Sequence, residues 1–174
     1  MKKQFLSVAA VAMIAAFMFG CAAKAPVMQD GKQVAIFVLS NRGIKADTKE
    51  DERKDRNEMG QFIEEDLVNS LKHDGYNTTQ IQNQNQYVKG STNYLATVRI
   101  NDLRIVGRAA RSFAGFTAGP TILKNHYEIS GASGKIALSY DDEDSTIHDW
   151  TNSPRELNQR FMTKINEKLA GKSK

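Results

Sequence analysis

The chain has 174 residues, of which 40% are hydrophobic and 25% charged, and its formal net charge is +4. That length suits one domain rather than two, and the composition excludes a wholly disordered or collagen-like chain. One cysteine excludes an internal disulfide, a cysteine zinc cluster and a CxxC redox pair.

Lys2 and Lys3 form a positive start, and no residue from Gln4 to Ala23 is charged. Phe5 to Phe19 is apolar apart from Ser7, which matches the apolar region of a secretory signal peptide and is short for a spanning helix. The run ends at Phe19-Gly20-Cys21-Ala22. A small residue before the lone cysteine resembles the lipobox of bacterial lipoproteins, with Met18 and Phe19 departing from its usual residues. The resemblance implies that Cys21 carries a diacylglycerol, that cleavage falls before it, and that several acyl chains anchor the mature chain firmly. In a Gram-negative cell, Ala22 in place of the inner-membrane retention aspartate implies the outer membrane, facing the periplasm. Two other readings stay open: an uncleaved anchor helix, and a conventional signal peptide cut at Ala23-Lys24 or Ala25-Pro26. Loss of Lys2 and Lys3 leaves 22 basic against 20 acidic residues, too balanced for a nucleic-acid binder.

The expected organisation is a signal peptide over 1–20, an acylated cysteine and tether over 21–32, and one domain over 33–170. Gln33 to Leu39 reads as a β-rich apolar strand covered on both faces and central in its sheet. Residues 45–58 hold five positive and six negative side chains and read as a solvated loop leading into a helix. Met59, Phe62, Ile63, Leu67, Val68 and Leu71 then make a helical stripe, giving a helix over roughly 55–74 that Gly75 ends in a left-handed turn. From Asn77 to Asn93, eight of seventeen residues are Asn or Gln, an edge strand running into a polar loop.

Tyr94 to Val106 is the longest strand candidate. Its apolar parity slips near Asn101-Asp102, which predicts a β-bulge. Ser112 to Pro120 is glycine-rich and apolar. Thr121–Ile129 and Lys135–Tyr140 read as strands joined through Ser130–Gly134, and the acids Asp141–Asp144 read as an exposed turn or strand end. Ser153-Pro154-Arg155-Glu156 has the form of a capping box with proline at the first helical position. Leu157, Phe161, Met162, Ile165 and Leu169 complete a second helix over roughly 154–170. Strand, helix, several strands, helix implies an α+β fold, an α/β sandwich with a mixed sheet of four to six strands and two main helices.

No constellation points to catalysis. The three histidines, His73, His126 and His148, have neither HExxH spacing nor a cysteine partner set, so no metal site is expected. No G-x-S-x-G elbow accompanies the serines. Pro120 stands where a phosphate loop needs lysine, which argues against nucleotide binding. Arg104, Arg108 and Arg111, followed by Phe113 and Phe116, form the one candidate contact site, for lipid-headgroup phosphates or an acidic partner. Solvated arginines beside a loop folded on the core explain the same residues.

Tyr94-Leu-Ala-Thr-Val-Arg-Ile-Asn-Asp-Leu, then Gly107-Arg-Ala-Ala-Arg, then Phe113-Ala-Gly-Phe-Thr-Ala-Gly resembles a pattern in a family of short bacterial lipoproteins. The likeness covers residues 33–140, and the chain departs from it after Glu128. That family is similar in turn to the small α/β domain of the curli-secretion lipoprotein, the TolB amino-terminal domain and the lipoprotein activators of peptidoglycan synthases. The resemblance implies a non-catalytic binding or assembly module in the envelope, without a cofactor, held to the membrane by its lipid anchor and meeting an envelope protein. A subunit of an export or pore-forming complex, using Gly107–Pro120 to insert or oligomerise, is the alternative. A small-ligand or envelope-stress sensor is a third class.

Overall fold

The computed structural model describes residues 34–106, 119–147 and 149–170. The signal segment, Cys21, the tether and most of the Gly107–Pro120 segment lie outside them. In chain order the elements are β1 (Ala35–Asn41), α1 (Glu50–His73), β2 (Asn77–Gln80), a single 3-10 turn (Gln84–Gln86), β3 (Asn93–Arg104), β4 (Thr121–Gly131), β5 (Ile136–Thr146) and α2 (Asn152–Ala170). The strands form one mixed sheet in the order β2-β1-β3-β4-β5, an α+β fold as the element order implied. β1 lies parallel to both β2 and β3, while β3–β4 and β4–β5 are antiparallel. β1 is thus an interior strand, although β3 takes the centre.

Side-chain alternation decides which face of the sheet is covered. Ile36 and Val38 of β1, Ala96, Val98 and Ile100 of β3, and Leu123, Tyr127 and Ile129 of β4 all point to one face and are buried. Met59, Ile63, Leu67 and Leu71 of α1 and Leu157, Phe161 and Ile165 of α2 cover them. Tyr127 lies 4.6 Å from Phe161 between ring centroids, an aromatic contact that adds to the area both rings remove from water. The predicted bulge is present: the β3–β4 register shifts between Ile100 and Asp102. Because one extra residue exchanges the faces, Leu103 returns to the covered side and packs against the core.

Three local readings need correction. α1 begins at Glu50, so most of the charged run is helix rather than loop. Ion pairs Arg53–Glu50 and Arg56–Glu52 at helical spacing, with three acids in the first turn, favour that extension. Asp141–Asp144 is strand, not a turn: β5 continues to Thr146, and alternation splits its acids between two faces. The capping box does not form either. Ser153 lies inside α2 with its hydroxyl buried and unpartnered, and the chain enters the helix through Asp149, whose carboxylate accepts from the Thr151 N–H at 3.0 Å. Gly75 does end α1 in a left-handed conformation, at φ 89°.

Phe161 is fully buried at the meeting point of α2 and β4. Phe161→Ala is expected to cost about 3–5 kcal/mol, read as a lower urea midpoint at unchanged slope.

Candidate functional site

Only Arg104 of the candidate contact residues lies within the described chain. It is exposed at the end of β3, opposite Ile122. Beside it the Val106 N–H donates to Thr121 Oγ1 at 3.1 Å, holding together the two chain ends from which residues 107–118 leave and return. Arg108, Arg111, Phe113 and Phe116, like Cys21, the residue expected to carry the lipid, fall outside the described residues.

Two polar arrangements appear that no sequence motif announced. The first lies at the carboxyl ends of β1 and β2. Glu64 of α1 is almost fully buried there, its carboxylate accepting from the Ser40 N–H at 3.2 Å, from Gln80 Nε2 at 2.9 Å and from Arg42 Nη2 at 3.3 Å. Burial raises its pKa above the ordinary glutamate value, while Arg42, the Ser40 N–H and Gln80 pull it down. Arg56, also buried, reaches the carbonyls of Arg42 and Ile100. Gly43 turns the chain between them at φ 63°, and a side chain there would strike the Ile100 carbonyl. The carboxylate is saturated by donors that belong to the fold, so this cluster locks α1 to the sheet ends.

The second arrangement lies on the sheet face away from the helices. His126 of β4 has Nδ1 2.9 Å from Asp141 Oδ1 and Nε2 3.2 Å from Ser139 Oγ. Asn101 Nδ2 donates to the same Asp141 oxygen at 3.1 Å. Register brings them together: His126 faces Asp141 directly across the β4–β5 pair, and Ser139 is its diagonal neighbour. The order serine, histidine, aspartate matches that of a hydrolytic triad. Its surroundings do not, because Asp141 is three-quarters exposed. A carboxylate in open water orients and stabilises an imidazolium far less than a desolvated one. Cross-strand surface pairing explains the contacts without chemistry.

The acids of β5 do not converge on a cation. Asp142 and Asp144 face α2 and pair with Arg160, while Glu143 pairs with Lys124 on the other side. Among the described residues no group of three acidic, histidine or cysteine side chains is placed to hold a metal ion, and no helix is long and apolar enough to cross a membrane.

No protein-family model matches the chain, and no curated protein does. Among solved structures it is similar to a PelC variant from Paraburkholderia phytofirmans solved as a dodecamer: TM-score 0.45 and 14% identity, over 82% of this chain and 90% of that one. It is also similar to a neuraminyllactose-binding hemagglutinin homolog from Helicobacter pylori: TM-score 0.34 and 12% identity, over 84% and 89%. At these scores and identities neither likeness carries a functional argument.

Two outcomes are expected from this geometry. A carboxyl that binds its proton more tightly folded than unfolded contributes most stability when protonated. The Glu64 contribution is therefore complete below the unfolded value near 4.5 and is lost as pH rises through the raised folded value. Glu64→Gln is expected to flatten that part of the stability profile, measured by urea denaturation from about pH 4 to pH 7. Ser139 is expected to stay unlabelled by a fluorophosphonate that labels a serine hydrolase in parallel.

Proposed function

We propose that this chain is a lipid-anchored envelope lipoprotein whose α/β domain acts as a non-catalytic binding or assembly module. The observation that carries the proposal is Cys21, directly behind an uncharged apolar run and Gly20. Acylation there would confine the domain to a surface, where a partner held on the same surface meets it at a raised effective concentration. The exposed sheet face supports a binding role. Arg99, Lys124, His126, Ser139, Asp141 and Glu143 spread both signs of charge over a broad strand surface, a shape suited to a macromolecular partner.

The topology also bears on the arginine site. β1 begins, and the tether joins, at the sheet end opposite Arg104. With the tether end toward the membrane, Arg104 faces away from it. An acidic envelope partner then fits that site better than a headgroup. In the alternative reading, an export or pore-forming complex, the Gly107–Pro120 segment inserts or oligomerises.

The intact mass of the protein extracted from membranes tests the anchor. A chain starting at Cys21 and carrying lipid is expected, with Cys21→Ala unprocessed; a chain starting elsewhere without lipid would remove the reading. A ring-sized mass in detergent would favour the export complex instead.

A further inference from the structure

One end of the sandwich gathers lysines. Ala35 pairs with Asn77 and Asn93, Tyr94 with Gly131, and Ser130 with Ile136, so the first residues of β1, β2, β3 and β5 lie together. The last turns of both helices reach the same end. Lys72 closes α1, Lys89 precedes β3, Lys135 sits in the β4–β5 turn and Lys168 lies in the last turn of α2. All four are exposed, and among the described residues none has an ion pair. Elsewhere on the domain Arg42 pairs with Glu64, Arg56 with Glu52, Lys124 with Glu143 and Arg160 with Asp142, while Lys45, Lys49 and Lys54 lie scattered around the acids of α1. The acids at the lysine end are Asp74, which accepts from Asn166 Nδ2, and Glu167.

Two apolar side chains protrude among these lysines. Val88 is 61% exposed beside Lys89, and Ile136 is 52% exposed beside Lys135. Exposed apolar residues flanked by cations fit an interface with anionic headgroups, where the apolar tip enters and the ammonium groups stay in the polar layer. Beside Ile136 a cavity of about 480 Å³ is lined by Ser91, Tyr94, Ser133, Lys135 and Lys168. Its lining thus includes two lysines and two serines, whose ammonium and hydroxyl groups are donors suited to the oxygens of a phosphate.

We infer that this end docks on an anionic phospholipid surface, with Lys135, Lys168, Ser91 and Ser133 holding one headgroup phosphate and Val88 and Ile136 entering the interface. The inference rests on the lipoprotein reading and deepens it. The twelve residues between Cys21 and Val34 reach up to about 45 Å when extended, so the anchor alone leaves orientation free. Charge at the lysine end then sets which end meets the membrane.

The test uses residues 22–174, which lack the anchor but keep the whole core, drawn from Val34 to Leu169. Failure of the anchor therefore cannot be mistaken for failure of this site. Co-sedimentation is measured with vesicles of phosphatidylcholine alone and with added phosphatidylglycerol. Binding is expected only to the anionic vesicles and should weaken as salt is added. Each lysine near a charged surface is worth roughly fivefold in affinity. Lys135→Gln/Lys168→Gln, with an unchanged circular dichroism spectrum, is expected to bind about tenfold or more weakly, and Val88→Asp also weakly. Lys45→Gln, exposed beyond β1 at the other end, is expected to change nothing. Equal binding to neutral vesicles, no binding to either kind, or loss through Lys45→Gln but not through the Lys135/Lys168 pair would overturn the inference. So would phosphate seen by calorimetry with no vesicle binding, which would assign the cavity to a soluble phosphate.

Discussion

Ile36, Val38, Ala96, Val98, Ile100, Leu123, Tyr127 and Ile129 come from three strands, yet they make one apolar face, and α1 and α2 remove that face from water. This burial constrains everything else. A mixed sheet with helices on one side leaves its other side for polar residues, and strand alternation sends Arg99, Lys124, His126 and Asp141 there. The bulge at Ile100/Asp102 follows from the same demand. Without it, Leu103 would point to water and Asp102 into the core.

Polar groups trapped by this packing are tied into the fold. Glu64 sits where α1 crosses the ends of β1 and β2, and its three donors offset part of the cost of burying a carboxylate. At the opposite end of α1, Tyr76 donates to Asn166 Oδ1 at 2.6 Å, and Asn166 Nδ2 donates to Asp74. Burial, with Asp74 nearby, pushes the Tyr76 hydroxyl up to about 12, so it stays a donor at any ordinary pH. These links hold both helices in register over the sheet.

The two ends of the domain differ in charge and in connection. Arg104 marks the end where β3 stops and β4 begins. The free lysines mark the end where the chain enters β1. A domain with unlike ends has one orientation of lower free energy near a charged surface.

Periodicity alone determined the stripe of α1 from Met59 to Leu71, that of α2 from Leu157 to Leu169, the strand runs, and the phase slip at Asn101-Asp102. It could do so because a dry face leaves its period in the residues of one element. The uncharged apolar run before Cys21 is likewise a local word. Ser153-Pro-Arg-Glu shows the limit of local reading: the motif is present, yet Asp149 starts the helix and the serine is buried. The acid run misled for a related reason, because alternating burial along β5 depends on Arg160 and Lys124 from other elements. Strand order, the place of β1 between β2 and β3, the Glu64 lock, the His126 contacts and the gathering of lysines at one end were decided only by the tertiary structure. Each joins residues far apart in the chain, as Arg56 meets the Ile100 carbonyl 44 positions away. A sequence records which face of an element must be dry, but not which distant element makes it so.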